Sequence, residues 1–167
     1  MFRDYYFKGR HAERVTQLTS IFDSASKSKM FNRIFDIHSI APLIGFLYGR
    51  REEIDRDTDL ERQSRAYDAE EETLIFSLRL ILLLDKEFEP DPQKRIENAF
   101  DLSGDTSRER NLFNQYLLGG IDVLYEKLIE GKSDPDSYVE RLYEFLEELR
   151  DRYNHEVNIE KLLELCD

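Results

Sequence analysis

Cysteine is nearly absent from this chain: Cys166 is the only one in 167 residues. A single cysteine excludes an intramolecular disulfide and fits a reducing cytoplasm. Long apolar runs are missing as well. The longest, Leu74 to Leu84, is interrupted by Ser77 and Arg79 and falls far short of the roughly 20 residues that span a bilayer. The N-terminal MFRDYYFKGRHAERV has no apolar stretch of the kind a signal segment needs. A cytoplasmic protein without a membrane segment is therefore expected. Histidine is scarce: His11, His38 and His155 lie far apart, with no HExxH pair and no cysteine pair, so no metal site is expected. In DRDTDLE, Asp55, Asp57 and Asp59 occupy the first three ligand positions of a calcium loop. Leu60 then stands where that loop needs glycine, and Ala66 where it needs glutamate. Neither a glycine-rich phosphate loop nor a serine elbow is found, which disfavours nucleotide and acyl-transfer enzymes and leaves no cofactor expected.

What is present fits one folded domain over residues 1–167. The chain is 40 % hydrophobic and 36 % charged, too apolar for a disordered segment and long enough to bury a core. Its net charge of −12 is unevenly spread. Residues 1–33 carry seven Lys/Arg against three acids, for +4, whereas the stretch from Asp134 onward carries eleven acids against four bases, for −7. Such asymmetry marks either an acidic partner-facing surface, a basic arm, or ordinary solvated helix faces.

Apolar spacing is helical almost throughout. Val15, Leu18, Ile21 and Phe22 predict an amphipathic helix over Arg10 to Phe22. Within Lys29 to Glu52, Phe31, Ile34, Phe35, Ile37 and Ile40 predict a buried helix that Pro42 ends or kinks. Residues 52–65 are almost continuously charged and read as an exposed loop. Three acids precede the run Leu74 to Leu84, which predicts a central helix, with a short buried strand as the competing assignment. A brief helix follows in PQKRIENAFDL, and another starts near Asp105 to Ser107. That helix meets Gly119 and Gly120, which together cost about 2 kcal/mol in a helix interior and imply a break, a hinge or a tight helix contact. Asp134 and Pro135 suit a cap followed by proline at the first helical position, opening a helix that runs to about Tyr153. A last short helix is expected over Ile159 to Leu165. No alternating strand stands out. The expected fold is all-α: a single-domain, mainly antiparallel bundle of about six to seven helices.

Two constellations bear on function. Gly45 and Gly49 lie four apart, so on a helix they share a face and admit a second helix, such as the one holding Gly119 and Gly120. Arg50 and Arg51 follow directly. They suit a helix C-terminus, and they also suit a binding role toward a phosphate or a carboxylate-rich surface. The segments FNRIFD, GFLYGRREE and NQYLLGGIDVLYEKL resemble the small accessory proteins of bacterial DNA-phosphorothioation (Dnd-type) defence systems, through Gly45, Gly49, Arg50 and Arg51 and then Gly119, Gly120 and Ile121. That resemblance implies an accessory or regulatory role in anti-phage defence and no catalytic residues. The second constellation is Arg150, Asp151, Arg152, Tyr153, Asn154 and His155. An arginine followed after four residues by histidine resembles the R-x4–6-H motif of the HEPN superfamily, whose members include metal-independent ribonucleases. The resemblance implies that Arg150 steadies a scissile phosphate and His155 moves a proton, with Asp151 or Asn154 in support. Residues five apart on a helix are offset by about 140°, so Arg150 and His155 converge only at a helix end, a bend or across a dimer.

The expected function is a non-enzymatic accessory protein whose partner is another protein. The alternative is a HEPN-like ribonuclease or toxin acting on RNA, for which a homodimer would be relevant. A DNA-mimicking acidic protein is a weaker third reading, because 24 basic residues dilute the field.

Overall fold

The computed structural model describes residue 2 and residues 4–56, 58–131 and 134–156, the side chains of 153–156 excepted. The fold is predominantly helical, with two small two-stranded sheets among the described residues. Strand β1 (Asp4–Lys8) leads directly into α1 (Gly9–Leu18). A hairpin of β2 (Ile21–Asp23) and β3 (Ser28–Lys29) precedes α2 (Ile34–Leu47). Strand β4 (Glu61–Arg65) is followed by α3 (Asp68–Leu84), α4 (Pro92–Phe100), α5 (Ser107–Leu128) and α6 (Pro135–Glu156).

The strands correct the all-α expectation. β1 and β4 pair antiparallel, with Asp4 opposite Arg65, Tyr6 opposite Gln63 and Lys8 opposite Glu61. Opposite charges face one another across the ladder: Lys8 Nζ lies 2.7 Å from Glu61 and Arg65 Nε 3.2 Å from Asp4. The charged loop expected over 52–65 therefore ends in a strand. Its sequence, ERQSR, holds no apolar residue, and only Ser64 is buried, so hydrophobic alternation has nothing to register. Helix α1 is likewise shorter than the apolar spacing predicts. The hydroxyls of Thr19 and Ser20 donate to the carbonyls of Val15 (2.8 Å) and Thr16 (2.6 Å), the local competition that ends helices at such residues. Ile21 and Phe22 then enter β2.

Helix α2 opens with the Arg33 amide donating to Asp36 Oδ2 at 2.8 Å and runs through Pro42 to Leu47. Proline does not end it, although an interior proline costs about 3 kcal/mol. The packing of α2 against α5 and α3 offsets that cost. The run Leu74 to Leu84 is helical, which decides between helix and strand. Its first turn carries Asp68, Glu70 and Glu71, where acids complement the helix dipole. Asp91 caps α4 by accepting from the Gln93 amide at 2.9 Å, with Pro92 at the first helical position. Asp134 accepts from the Ser137 amide at 3.0 Å and caps α6. The helix expected over Ile159 to Leu165 lies outside the described residues.

Helix α5 passes unbroken through Gly119 and Gly120, so of the three options a tight contact is the one realised. A Cβ on Gly120 would collide with the Ala41 carbonyl, and a Cβ on Gly45 with the Tyr116 carbonyl. The two helix backbones touch there, and glycine is what allows it. Gly49 does something else. Its φ is +61° with open space around it, and the Arg50 amide donates to the Gly45 carbonyl at 2.8 Å, which is a left-handed helix C-cap.

Helices α2 and α5 separate two apolar clusters. One joins Phe7, Val15, Leu18, Ile37, Ile44, Leu117, Ile121, Leu124 and Phe145; the other joins Phe2, Leu74, Leu78, Ile81, Leu112 and Phe113. Helices α2 and α3 lie side by side in the same direction, departing from a mainly antiparallel arrangement. Arg33 pairs with Glu70 (2.7 Å) at their N-terminal ends, while Phe46 and Leu84 line one recess at their C-terminal ends.

His38 of α2 is 1 % exposed among the rings of Tyr5, Phe7, Phe35 and Phe113. Burial pushes its pKa down to about 4. Between about 6.5 and 4 the unfolded chain takes up a proton at this residue that the folded chain refuses, so stability falls as pH falls through that window. The expected loss is on the order of 3 kcal/mol. Urea denaturation across the pH range should show it, and His38→Gln should abolish that part of the slope.

Candidate functional site: buried charge centres and an apolar outer face

The paired arginines expected to bind a ligand are both engaged within the chain. Just past the Gly49 cap, Arg50 and Arg51 reach different partners. Arg50 Nη1 donates to Glu126 at 2.6 Å, and its Nη2 lies 3.5 Å from Asp122. Arg51 Nη2 donates to Asp85 Oδ2 at 2.8 Å and to the Tyr116 hydroxyl at 2.6 Å, with its guanidinium 4.7 Å over the Tyr116 ring. The same Asp85 oxygen accepts from the Tyr116 hydroxyl at 2.8 Å. Burial and the Asp85 carboxylate push the Tyr116 phenol up to about 12. The two arginines thus clamp the 50–53 segment to α5 and to the end of α3. The Glu52 amide continues this by donating to the Gln115 carbonyl at 3.0 Å.

Asp122 is the centre that sequence reasoning missed. It is fully buried on α5 and gathers four basic side chains. His11 Nε2 lies 3.0 Å from Oδ1, Arg14 pairs with the same oxygen, and Arg10 and Arg50 reach Oδ2 at 3.3 and 3.5 Å. Burial alone would raise this carboxyl. The hydrogen bonds and charges of His11 and Arg14 outweigh it and hold the group below the usual carboxylate range. Arg10 and Arg50 share Glu52 as a further counter-charge, at 2.6 and 3.7 Å. His11 is 1 % exposed, so this arrangement joins α1, the segment after α2, and α5, and offers a substrate no path to the imidazole.

The ribonuclease constellation is only partly within view. Arg150 lies on the exposed side of α6 and pairs with Glu147 and, at 3.6 Å, with Asp151. Asn154 and His155 fall in the last turn of the helix, and their side chains lie outside the described residues, as does the convergence the motif requires. Among the described residues, no group of three or more His, Cys, Asp or Glu side chains is placed to hold a metal ion, and no helix is long and apolar enough to cross a membrane.

The remaining feature is an apolar outer face. Helix α3 packs between α2 and α4, and each of the three exposes large apolar side chains. Phe76 and Leu84 of α3 are each 59 % exposed, and Phe100 of α4 is 61 % exposed; Ile40 and Leu47 of α2 and Ile96 of α4 are also exposed. On α3, Phe76, Leu80 and Leu84 recur every fourth residue and so share one face. On α2, Ile40, Leu43 and Leu47 do the same at steps of three and four. Single exposed leucines are ordinary; several large apolar side chains exposed on three successive packed helices make this the candidate interaction surface. The apolar spacing of both helices was legible; that each helix carries apolar residues on more sides than the core covers was not. Comparisons with protein-family models, curated proteins and solved structures find no match for this chain.

Proposed function

We propose that this chain is a non-enzymatic accessory protein whose task is to dock another protein on the outer face of α2, α3 and α4. The exposure of Phe76, Leu84 and Phe100 on adjoining helices carries this reading. Burying such side chains in a complex is worth about 1.5–3 kcal/mol each, enough for a few of them to form the centre of an interface. The chain's charge of −12 opposes association of two copies and favours a neutral or basic partner. The internal engagement of Arg50 and Arg51 also supports a non-enzymatic reading, since these cations serve the fold. An accessory role in a bacterial defence operon, suggested by the glycine and arginine segments, is compatible with a docking module.

The test uses the double variant Phe76→Asp/Leu84→Glu. Both positions are exposed, so its thermal melt should stay close to that of the wild type. Wild-type protein cross-linked in its host should retain a specific partner, and that partner, once purified, should bind the variant at least about 100-fold more weakly. Equal binding by both proteins would sink the proposal. So would a wild-type dimer in sedimentation that the double variant converts to monomer, because the face would then serve self-association.

A further inference from the structure

Helix α6 carries an exposed apolar stripe of its own, apart from the docking face. The helix packs on α5 and β2, where Phe145 is buried and Tyr138 meets the Phe22 ring. Beside that contact Val139, Leu142, Tyr143 and Leu146 are all exposed, Tyr143 to 66 %. Steps of three, one and three place them on one arc of the helix. Glu140, Glu144 and Glu147 fall on the next arc.

Charge is ordered along the same stripe. Asp136 stands in the first turn of α6, seven residues before Tyr143, and Arg150 stands seven residues after it. Seven residues are close to two turns, so both lie on the Tyr143 side of the helix, each about 10 Å from its level at 1.5 Å per residue. Both are exposed. Arg150 pairs with Glu147 of its own helix, an exposed contact of a kind that contributes little and exchanges readily. From end to end the stripe reads acid, apolar centre, base, with the two charges equidistant from Tyr143.

We infer that α6 pairs with α6 of a second copy of this chain, antiparallel, about a two-fold axis at Tyr143. A two-fold interface needs a patch that is its own complement, and this order is one. Reversing the helix brings Asp136 of each copy to the level of Arg150 of the other. A parallel pairing would set like charge on like, and an unrelated partner would need no such symmetry. The two Tyr143 rings meet at the axis with Val139, Leu142 and Leu146 around them, while the glutamate arc stays at the rim. The net charge of −12 repels the copies at a distance, and the two cross-pairs offset that repulsion where the helices touch. The stripe is short, so the pair is weak and reversible. It uses none of the exposed residues of α2, α3 and α4.

Sedimentation equilibrium of the full chain tests this. The wild type should dimerise with a dissociation constant on the order of 10–100 µM, and Tyr143→Glu should weaken it at least about 30-fold. Asp136→Lys and Arg150→Glu should each weaken it at least about tenfold, because each sets like charges together at both ends. An equimolar mixture of those two variants should recover the dimer, since opposite charges then face one another at both ends. All three positions are exposed, so the thermal melts should stay close to that of the wild type. A wild type still monomeric at about 500 µM would overturn the inference and leave the stripe to another protein or to residues 157–167. So would a dimer that survives Tyr143→Glu, or a mixture no more dimeric than either variant alone. None of these results bears on the docking reading, which Phe76→Asp/Leu84→Glu tests separately.

Discussion

Asp122→Ala is expected to destabilise the protein by about 3–5 kcal/mol, the usual consequence of removing one partner from a buried ion pair. The argument turns on what is left behind. Arg10 keeps Glu52, and Arg50 keeps Glu126, both at 2.6 Å. Arg14 and His11 keep no carboxylate: Arg14 retains the Tyr125 ring at 4.8 Å, and His11 is walled off from water. The cost is therefore that of an uncompensated, partly buried cation beside a stranded imidazole. Asp122→Asn keeps the shape and an acceptor and should cost less. Arg10→Ala, whose side chain is 52 % exposed, should cost under about 1 kcal/mol. Urea denaturation of the three variants checks the order, and an Asp122→Ala loss no larger than that of Arg10→Ala would contradict it.

The same centre has its own pH signature. A carboxyl held below its ordinary value of 3.8 contributes stability that is fully present above that value and is lost as pH falls through the depressed one. Asp122→Asn should thus flatten the acid limb below about pH 4, apart from the limb between about 6.5 and 4 that His38→Gln removes. Two buried groups, one acidic and one basic, are separated in this way by the pH at which each matters.

Much of the helical framework was legible because helices announce themselves by apolar period and by caps. Asp134 with Pro135 marks a true start, and the brief helix expected in PQKRIENAFDL is found as α4. The strand β4 was not, since its five residues are chosen for pairing with β1 and carry no apolar signal. Asp122 left two traces in the sequence. One is a lone acid inside the apolar run GGIDVL. The other is the Lys/Arg excess of residues 1–33, which includes Arg10 and Arg14, two of the four side chains around Asp122, with His11 beside them. Part of that charge asymmetry is therefore internal compensation across the fold and not a solvated face or a free arm. The docking face was hidden for a different reason. Periodicity identifies apolar residues but not which of them a neighbour covers, and α3 carries them on both its inward and its outward side.

Gly120→Ala and Gly45→Ala should each destabilise the protein by about 3 kcal/mol, at the upper end of what overpacking costs, lowering the melting temperature by roughly 10 °C. Helix propensity alone predicts the opposite sign, because alanine is favoured over glycine in a helix by about 1 kcal/mol. The sign is decided by the neighbouring helix. The atoms in the way are the backbone carbonyls of Ala41 and Tyr116, which cannot turn aside as a side chain would, so α2 and α5 must move apart along their whole contact. That movement loosens the packing that holds Pro42 in a helical interior, and it pulls Arg50 from Asp122 and Arg51 from Asp85. Because both glycines serve one contact, the double variant should cost clearly less than the two single losses added together. Gly104→Ala, with open space around it, should change little. A stabilised Gly120→Ala protein would mean that the two backbones do not meet, and with that the placement of both arginines would fail.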